Sequence, residues 1–307
     1  WGRFIMPKID IYQHVTDTII VQIEAGTPPW RRPWTGGAGA AALPLRHNGE
    51  AYRGINIVML WASAEINGFS SERWMTFKQA VELGGSVRKG SKCARSVFYG
   101  TFEKEAAQTG DVADGDEGRT RIPFAKCNNV FNADQIEGLP EEFYILPEPA
   151  RDLGTETDPE LEAFFARTGA DIITSDEPRA YYSHATDQIH MPPIHTFISA
   201  ARYFGVLGHE AIHWSGNNKR LGRNKKHKNR AERAKEEMCA EIGACLLGVK
   251  LGIEPDFEQS AAYVASWLEA LKNDKGLIFK AASDAQKAVD SIIDATSENT
   301  SNAQVAA

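Results

Sequence analysis

Apolar residues recur at three- and four-residue steps at Ile9, Tyr12, Val15, Ile19 and Ile23, the period of one helix face, and Gly26 with Pro28-Pro29 ends the run. Pro29-Trp30-Arg31-Arg32-Pro33-Trp34 and the Gly/Ala stretch behind it are too rich in Pro and Gly for regular structure and read as a loop. Residues 54–67 read as a buried helix closed by Gly68. Thr76 with Gln79 forms a capping box for a short helix that Gly84-Gly85 stops. Ser96–Phe102 and Arg121–Phe124 alternate as paired strands around a Gly/Asp/Glu-rich stretch, 105–120, expected to be a mobile surface insertion. Farther on, Asp158-Pro159 supplies an N-cap and an N1 proline for a helix through Arg167. Strand signals follow at 171–174, 181–184 and 188–191. After Pro192-Pro193 a helical pattern runs from about Ser199 through His213, and three more helices are expected near 231–250, 257–272 and 276–294.

This order predicts an α+β chain of two domains, residues 6–146 and 159–296. A Pro/Glu/Asp-rich linker over 147–158 joins them, and a Ser/Asn/Thr-rich tail over 297–307 is expected to be disordered. A chain of 307 residues exceeds what one core comfortably fills, which agrees with two domains. Trp1–Ile5 precede Met6, which reads as the natural start, so these five residues are set aside as an added lead-in.

Charge changes the picture more than overall composition does. The net charge is −7, yet residues 1–102 carry twelve Lys and Arg against seven Asp and Glu, a balance of +5 that leaves −12 for the remainder. Such a division marks a local face for a polyanion. No apolar run is long enough for a membrane span, so the expected location is cytoplasmic and no membrane partner is expected. Cys93, Cys127, Cys239 and Cys245 form no CxxC pair and read as packed small side chains.

The chemistry-bearing pattern is His209-Glu210-Ala211-Ile212-His213. Histidines four apart on a helix present both imidazoles on one face, close enough to share a cation. The intervening Glu210 sits beside that face, where its carboxylate can act as general base on water without being a ligand. Gly216 fits the longer pattern in which a third histidine completes the site, but Lys219 stands where that histidine would fall. The third ligand must therefore come from elsewhere. Glu237 and Glu241 lie one turn apart on a downstream helix: Glu237 is assigned as ligand and Glu241 as the acceptor that orients a ligand histidine, with the reverse assignment open. Two imidazoles and a carboxylate suit one divalent ion, Zn2+ first and Mn2+ as an alternative. Tyr181, Tyr182, His184, His190 and His227 are the candidate donors to an oxyanion.

Basic residues of the first hundred stand next to aromatics or glycines: Trp30, Arg31, Arg32 and Trp34; Arg53 after Tyr52; Arg73 and Trp74; Arg88, Lys89 and Lys92 around Gly90. Cations that hold phosphates and flat rings that stack on unpaired bases are what single-stranded DNA requires. Tryptophans that build a core with arginines at its rim would produce the same pattern.

In sequence order, Tyr12-x-x-Val15-Thr16, Pro29-Trp30, Pro33-Trp34, Tyr52-Arg53-Gly54-Ile55-Asn56, Trp74-x-Thr76-Phe77-x-Gln79-Ala80 and Gly84-Gly85-x-Val87-Arg88-Lys89-Gly90 resemble the amino-terminal domain of the ArdC antirestriction proteins. His209-Glu210-x-x-His213-Trp214-Ser215-Gly216, Arg220-Leu221 and Glu236-Glu237-x-x-Ala240-Glu241 resemble their peptidase domain. The resemblance covers most of the chain apart from the tail and the 105–120 stretch. It implies a single-stranded-DNA-binding domain followed by a zincin-like domain, in a plasmid- or mobile-element-encoded protein that protects incoming DNA from host restriction during conjugation. It also admits a host protein as substrate, or a site that is not catalytic at all.

Overall fold

A computed structural model describes residues 10–26, 28–30, 42–105, 119–147, 150–223, 229–254 and 261–305. The 105–120 stretch falls almost wholly outside these, as do Arg31, Arg32 and Trp34.

The first helix, α1 (Ile11–Glu24), begins where Asp10 accepts the Gln13 amide and buries Val15, Ile19 and Ile23, the face that periodicity marked. A two-residue strand β1 (Leu45–Arg46) pairs in parallel with β2 (Arg73–Met75). The latter pairs antiparallel with β5 (Arg119–Asn132), which in turn pairs with β4 (Ala94–Glu105) in one long ladder. Between them α2 (Ile55–Asn67) packs against β4. Its Asn56 side chain accepts the Val97 amide at 2.6 Å and donates to the Val97 carbonyl at 2.9 Å, fixing helix to sheet through both backbone groups of one residue. Thr76 and Gln79 form the expected capping box on α3 (Phe77–Glu82). β3 (Ser86–Val87) and β6 (Ile136–Glu137) close a small second core around Met75, Ala133 and Phe143.

In the second half, α4 (Pro159–Arg167) starts at the Asp158 cap, and β7 (Asp171–Thr174), β8 (Tyr181–Ser183) and β9 (Gln188–Met191) form a three-stranded sheet of order β7-β9-β8. Four helices follow: α5 (Ala200–Ser215), capped by Ser199; α6 (Arg230–Leu251), capped by Asn229; α7 (Ala261–Asn273); and α8 (Leu277–Val305). α5 and α6 pack face to face, and the contact depends on Gly243. A Cβ there would lie 2.9 Å from Ile212 Cδ1 and Cγ1, closer than packed carbons approach. The glycine thus lets the two helices that carry the site's residues come together.

One expectation changes. α8 continues to Val305, through the tail that composition marked as disordered; nothing from 277 onward is Gly or Pro, so nothing interrupts the helix. The expected α+β organisation in two domains holds, each half carrying its own sheet, and the two pack on one continuous core, from Val15 and Trp61 to Trp267 and Ile292. α1 meets the last helices through Tyr12, its ring tilted 46° against that of Phe279 at 4.4 Å, and Thr16 donating to the Lys275 carbonyl at 2.9 Å. Residues 150–158 of the expected linker are pinned as well, with the Arg151 amide donating to the Gly252 carbonyl and its guanidinium paired with Asp158 and Glu160. Among the described residues, no helix is long and apolar enough to cross a membrane.

Candidate metal centre and nucleic-acid face

The turn spacing on α5 brings His209 Nε2 to 3.2 Å from His213 Nε2, and α6 delivers the Glu237 Oε2 atom to 3.7 Å from each. Of the described residues, these three form the group of potential ligands close enough to share an ion. A triangle with edges of 3.2, 3.7 and 3.7 Å holds a point about 2 Å from every corner, the bond length that imidazole nitrogen and carboxylate oxygen give a zinc-sized divalent ion. The donor set therefore fits such an ion with no side chain moved. Glu210 lies between the two histidines on α5 and is buried. Glu241, one turn past Glu237, is buried too.

The carboxylate seen orienting His213 is Glu236, which the sequence reading passed over in favour of Glu241. His213 Nδ1 lies 3.1 Å from Glu236 Oε1, and Glu236 is gripped in turn by the Arg223 guanidinium, Nε to Oε2 at 2.8 Å and Nη2 to Oε1 at 3.0 Å. Arg223 also donates to the Ile212 carbonyl on α5 at 2.6 Å. The guanidinium fork and the carboxylate, 7% and 5% exposed, form a buried ion pair that reaches from the end of α5 to the start of α6. Burial by itself would lower the His213 pKa, but the Glu236 and Glu237 carboxylates outweigh it and raise it to about 10. Hydrogen bonds to His213 and Arg223 overcome the burial of Glu236, whose pKa falls to about 2, and those to His209 and His213 hold Glu237 well below the usual carboxylate range.

A latch stands behind this centre. Asp187 turns the β8–β9 hairpin at φ 63°, a left-handed conformation that Asp tolerates better than most residues. Its carboxylate accepts from Arg220, from Lys219 at 3.2 Å and from the Tyr182 hydroxyl at 2.7 Å. Arg220 lies over the Trp214 ring, 3.9 Å from its centroid, and donates to the Trp214 carbonyl, so the hairpin and the end of α5 are clamped together. The Tyr182 hydroxyl is thus occupied, and Tyr181 stacks on His190 at 4.5 Å. His227 lies outside the described residues. The tyrosine that senses the centre is Tyr263 on α7: the negative charge of Glu237 first, then burial, then Glu210 and Glu241 raise its pKa, and its side chain is partly exposed. No motif in the sequence marks it.

On the basic side, two assignments are overturned. Trp30 and Trp74 are 0% and 1% exposed, Trp30 set edge-on to Trp267 at 5.8 Å and Trp74 edge-on to Phe69 at 5.8 Å, so neither can stack on a base. Their rings build the core because that removes far more apolar surface from water than a rim position would. Arg73 is drawn inward beside Glu72 and the Phe143 ring. By contrast Arg53, Arg88, Lys89 and Lys92 are exposed, with Arg53 paired to Asp290 and Arg88 to Glu137 at 3.0 Å.

Two family models match in succession: the N-terminal domain of anti-restriction factor ArdC over residues 9–131, and a zincin-like metallopeptidase over residues 159–284. The fold is similar to the crystal structure of the antirestriction ArdC protein from the R388 plasmid in its metal-free form, with a TM-score of 0.84 and 56% identity over 94% of this chain and 99% of that one. The Mn(II)-bound form of that protein gives a TM-score of 0.80 at 55% identity over 94% of this chain and 98% of that one. The protein y4eC of Sinorhizobium fredii is 38% identical over 92% of this chain and 91% of its own length. The DNA primase TraC of Escherichia coli is 37% identical over 93% of this chain, which spans only 27% of that protein. With both halves matched in order and a solved structure superposed along nearly its whole length, the chain belongs to the ArdC antirestriction family.

Proposed function

We propose that the chain protects incoming plasmid DNA from restriction during conjugation, binding single-stranded DNA through its N-terminal half and hydrolysing peptide bonds of a host protein at a metal centre in its C-terminal half. The cytoplasm is where such a protein would meet both. The observation that carries the peptidase reading is the convergence of His209, His213 and Glu237 on one point, with Glu210 buried beside them. A divalent ion held there, Zn2+ or the Mn2+ that binds the R388 relative, supplies Lewis acidity to a scissile carbonyl. Glu210 takes the proton of the attacking water on a carboxylate oxygen and passes it to the leaving amine nitrogen. Glu236 holds His213 through Nδ1, which leaves Nε2 for the ion. Glu241 is assigned the same service toward His209, supported by its burial one turn beyond Glu237. Tyr263, whose partly exposed phenol on α7 lies within the field of Glu237, Glu210 and Glu241, is assigned as donor to the oxyanion. The exposed Arg53, Arg88, Lys89 and Lys92, with Arg31 and Arg32, hold phosphates.

The test pairs two assays on Glu210→Gln. Metal content stays at the wild-type level while hydrolysis of an unfolded protein substrate is lost. Protection of unmodified plasmid entering a restricting host falls in parallel. Should Glu210→Gln protect as well as wild type while Arg31→Gln/Arg32→Gln abolishes protection, the chain acts by coating DNA and the peptidase reading fails.

A further inference from the structure

We propose that the cleft where α1, the start of α2 and β4 face α8 binds an unstacked nucleotide of a single-stranded nucleic acid, with the lysines of α8 holding its phosphates. The inference rests on the single-strand binding proposed above, and it moves part of that surface into the C-terminal half, which neither the sequence pattern nor the family matches place there.

The cleft has a volume of about 690 Å³, within the range of small-ligand pockets. Its walls combine two kinds of group that a nucleotide needs. Tyr12 and Tyr99 supply rings, 37% and 49% exposed, over a floor formed by the buried Phe279, in contrast to the buried Trp30 and Trp74. Burial and the hydrogen bond to Tyr12 push the Tyr99 phenol far up, so it remains neutral and does not repel a phosphate. Around the rings stand Arg53, Lys235, Lys280 and Lys287 against Asp284 in the lining and their partners Asp290 and Asp274 beside it, which leaves a local excess of positive charge on a chain of net charge −7. Arg53, Lys280 and Lys287 are 66%, 62% and 66% exposed, so although Asp290, Asp274 and Asp284 are partly buried, the cationic ends of these pairs stand in solvent, where such pairs are weak. Exchanging a carboxylate for a phosphate at these exposed cations therefore sacrifices little. Base stacking on sequence-tolerant rings inside a cationic groove is the general mode of single-strand binding. A duplex cannot use it, since its bases are not free to enter.

The experiment measures binding of a fluorescein-labelled oligothymidylate to the full chain by anisotropy across salt concentrations. Lys280→Gln/Lys287→Gln, checked for an unchanged melting temperature, is compared with Arg88→Gln/Lys89→Gln. Loss of two phosphate contacts lowers the slope of log K against log salt by about 1.4, at ~0.7 per contact for a single strand. In parallel, a 5-iodouracil oligonucleotide is photo-crosslinked to wild type, and the attached peptides are expected to contain Tyr12 or Tyr99. An α8 variant with wild-type affinity and slope, crosslinks confined to other segments, or thymidine monophosphate binding as tightly as the strand would each overturn the assignment. If only the Arg88/Lys89 variant weakens binding, this site falls while the N-terminal reading stands. If wild type binds no single strand, both fall.

Discussion

Glu236 Oε1 sits 3.1 Å from His213 Nδ1 while its other oxygen is held by Arg223, so the ring that presents Nε2 to the centre is fixed by a buried ion pair on the adjacent helix. Glu236→Gln is expected to weaken divalent-metal affinity by about 10–100-fold, the range seen when such orienting partners are removed. The substitution also removes one of the charges that keep a proton on His213 up to about 10, which favours metal, so the loss is the net of two opposed effects. Competition against a chelator at fixed pH measures it, and an unchanged dissociation constant would show that Glu236 does not orient the ligand. Arg223→Ala is the harsher change. It strands a 5%-exposed carboxylate and should destabilise the fold by about 3–5 kcal/mol.

Much of this centre is legible in the sequence, and the failures have a common cause. The cap at Ser199, the four-residue histidine spacing and the acidic cluster of α6 are local, and local rules find them. Whether Glu236, Glu237 or Glu241 faces α5 depends on the rotation of α6 about its axis. Contact between Gly243 and Ile212 sets that rotation, and no window of sequence contains both. Trp30 and Trp74 fail for the same reason: their arginine neighbours are visible in the string, their burial partners Trp267 and Phe69 are not assigned by it.

Because that helix contact sets the site, Gly243→Ala should damage metal binding without touching a ligand. The added methyl meets Ile212, itself fully buried, and the helices must part or Ile212 must leave its rotamer, at a cost of roughly 1–3 kcal/mol. Pairing it with Ile212→Val, which makes room, should restore part of both stability and affinity in a double-mutant cycle. Strict additivity of the two changes would deny the contact its role.

Tyr263→Phe removes the hydroxyl while leaving the ring in place. If that phenol donates to the oxyanion, kcat falls by about 10²-fold with little change in KM or in metal content, as expected for an interaction made only in the transition state. A fall in KM effects alone, or full activity, would assign the role elsewhere.

The Asp187 latch predicts an acid-sensitive element. Hydrogen bonds from Arg220, Tyr182 and Lys219 outweigh burial, which acts the other way, and depress the Asp187 pKa well below its ordinary value of 3.8, so its stabilisation is fully present above that pH and is lost progressively as pH falls beneath it. Asp187→Asn keeps a residue tolerant of φ 63° but loses the ion pair, and its stability should converge on wild type as acid protonates Asp187. Asp187→Ala adds backbone strain that no pH relieves and should remain less stable than Asp187→Asn throughout. Thermal melts from pH 6 down to about pH 2 separate the two, the curves drawing together below about pH 4, and parallel curves for wild type and Asp187→Asn would remove the carboxylate from the account.

The placement of Trp30 separates core from nucleic-acid contact most sharply. Its ring, wholly buried, meets Trp267 of α7 edge-on, so it joins the N-terminal half to the helices behind the metal centre. Trp30→Ala should lower stability by about 3–5 kcal/mol and lower the melting temperature of the whole chain as one transition, because the core it leaves is common to both halves. Trp30→Phe, which keeps the aromatic contact at smaller volume, should recover most of that loss and bind single strands as wild type does. Under a stacking role the order reverses: stability would hardly move, and affinity for oligothymidylate would drop with either substitution, alanine more than phenylalanine. Denaturation and anisotropy on the same two variants therefore decide between a ring that packs and a ring that reads DNA, and the burial of Trp30 commits the chain to the first.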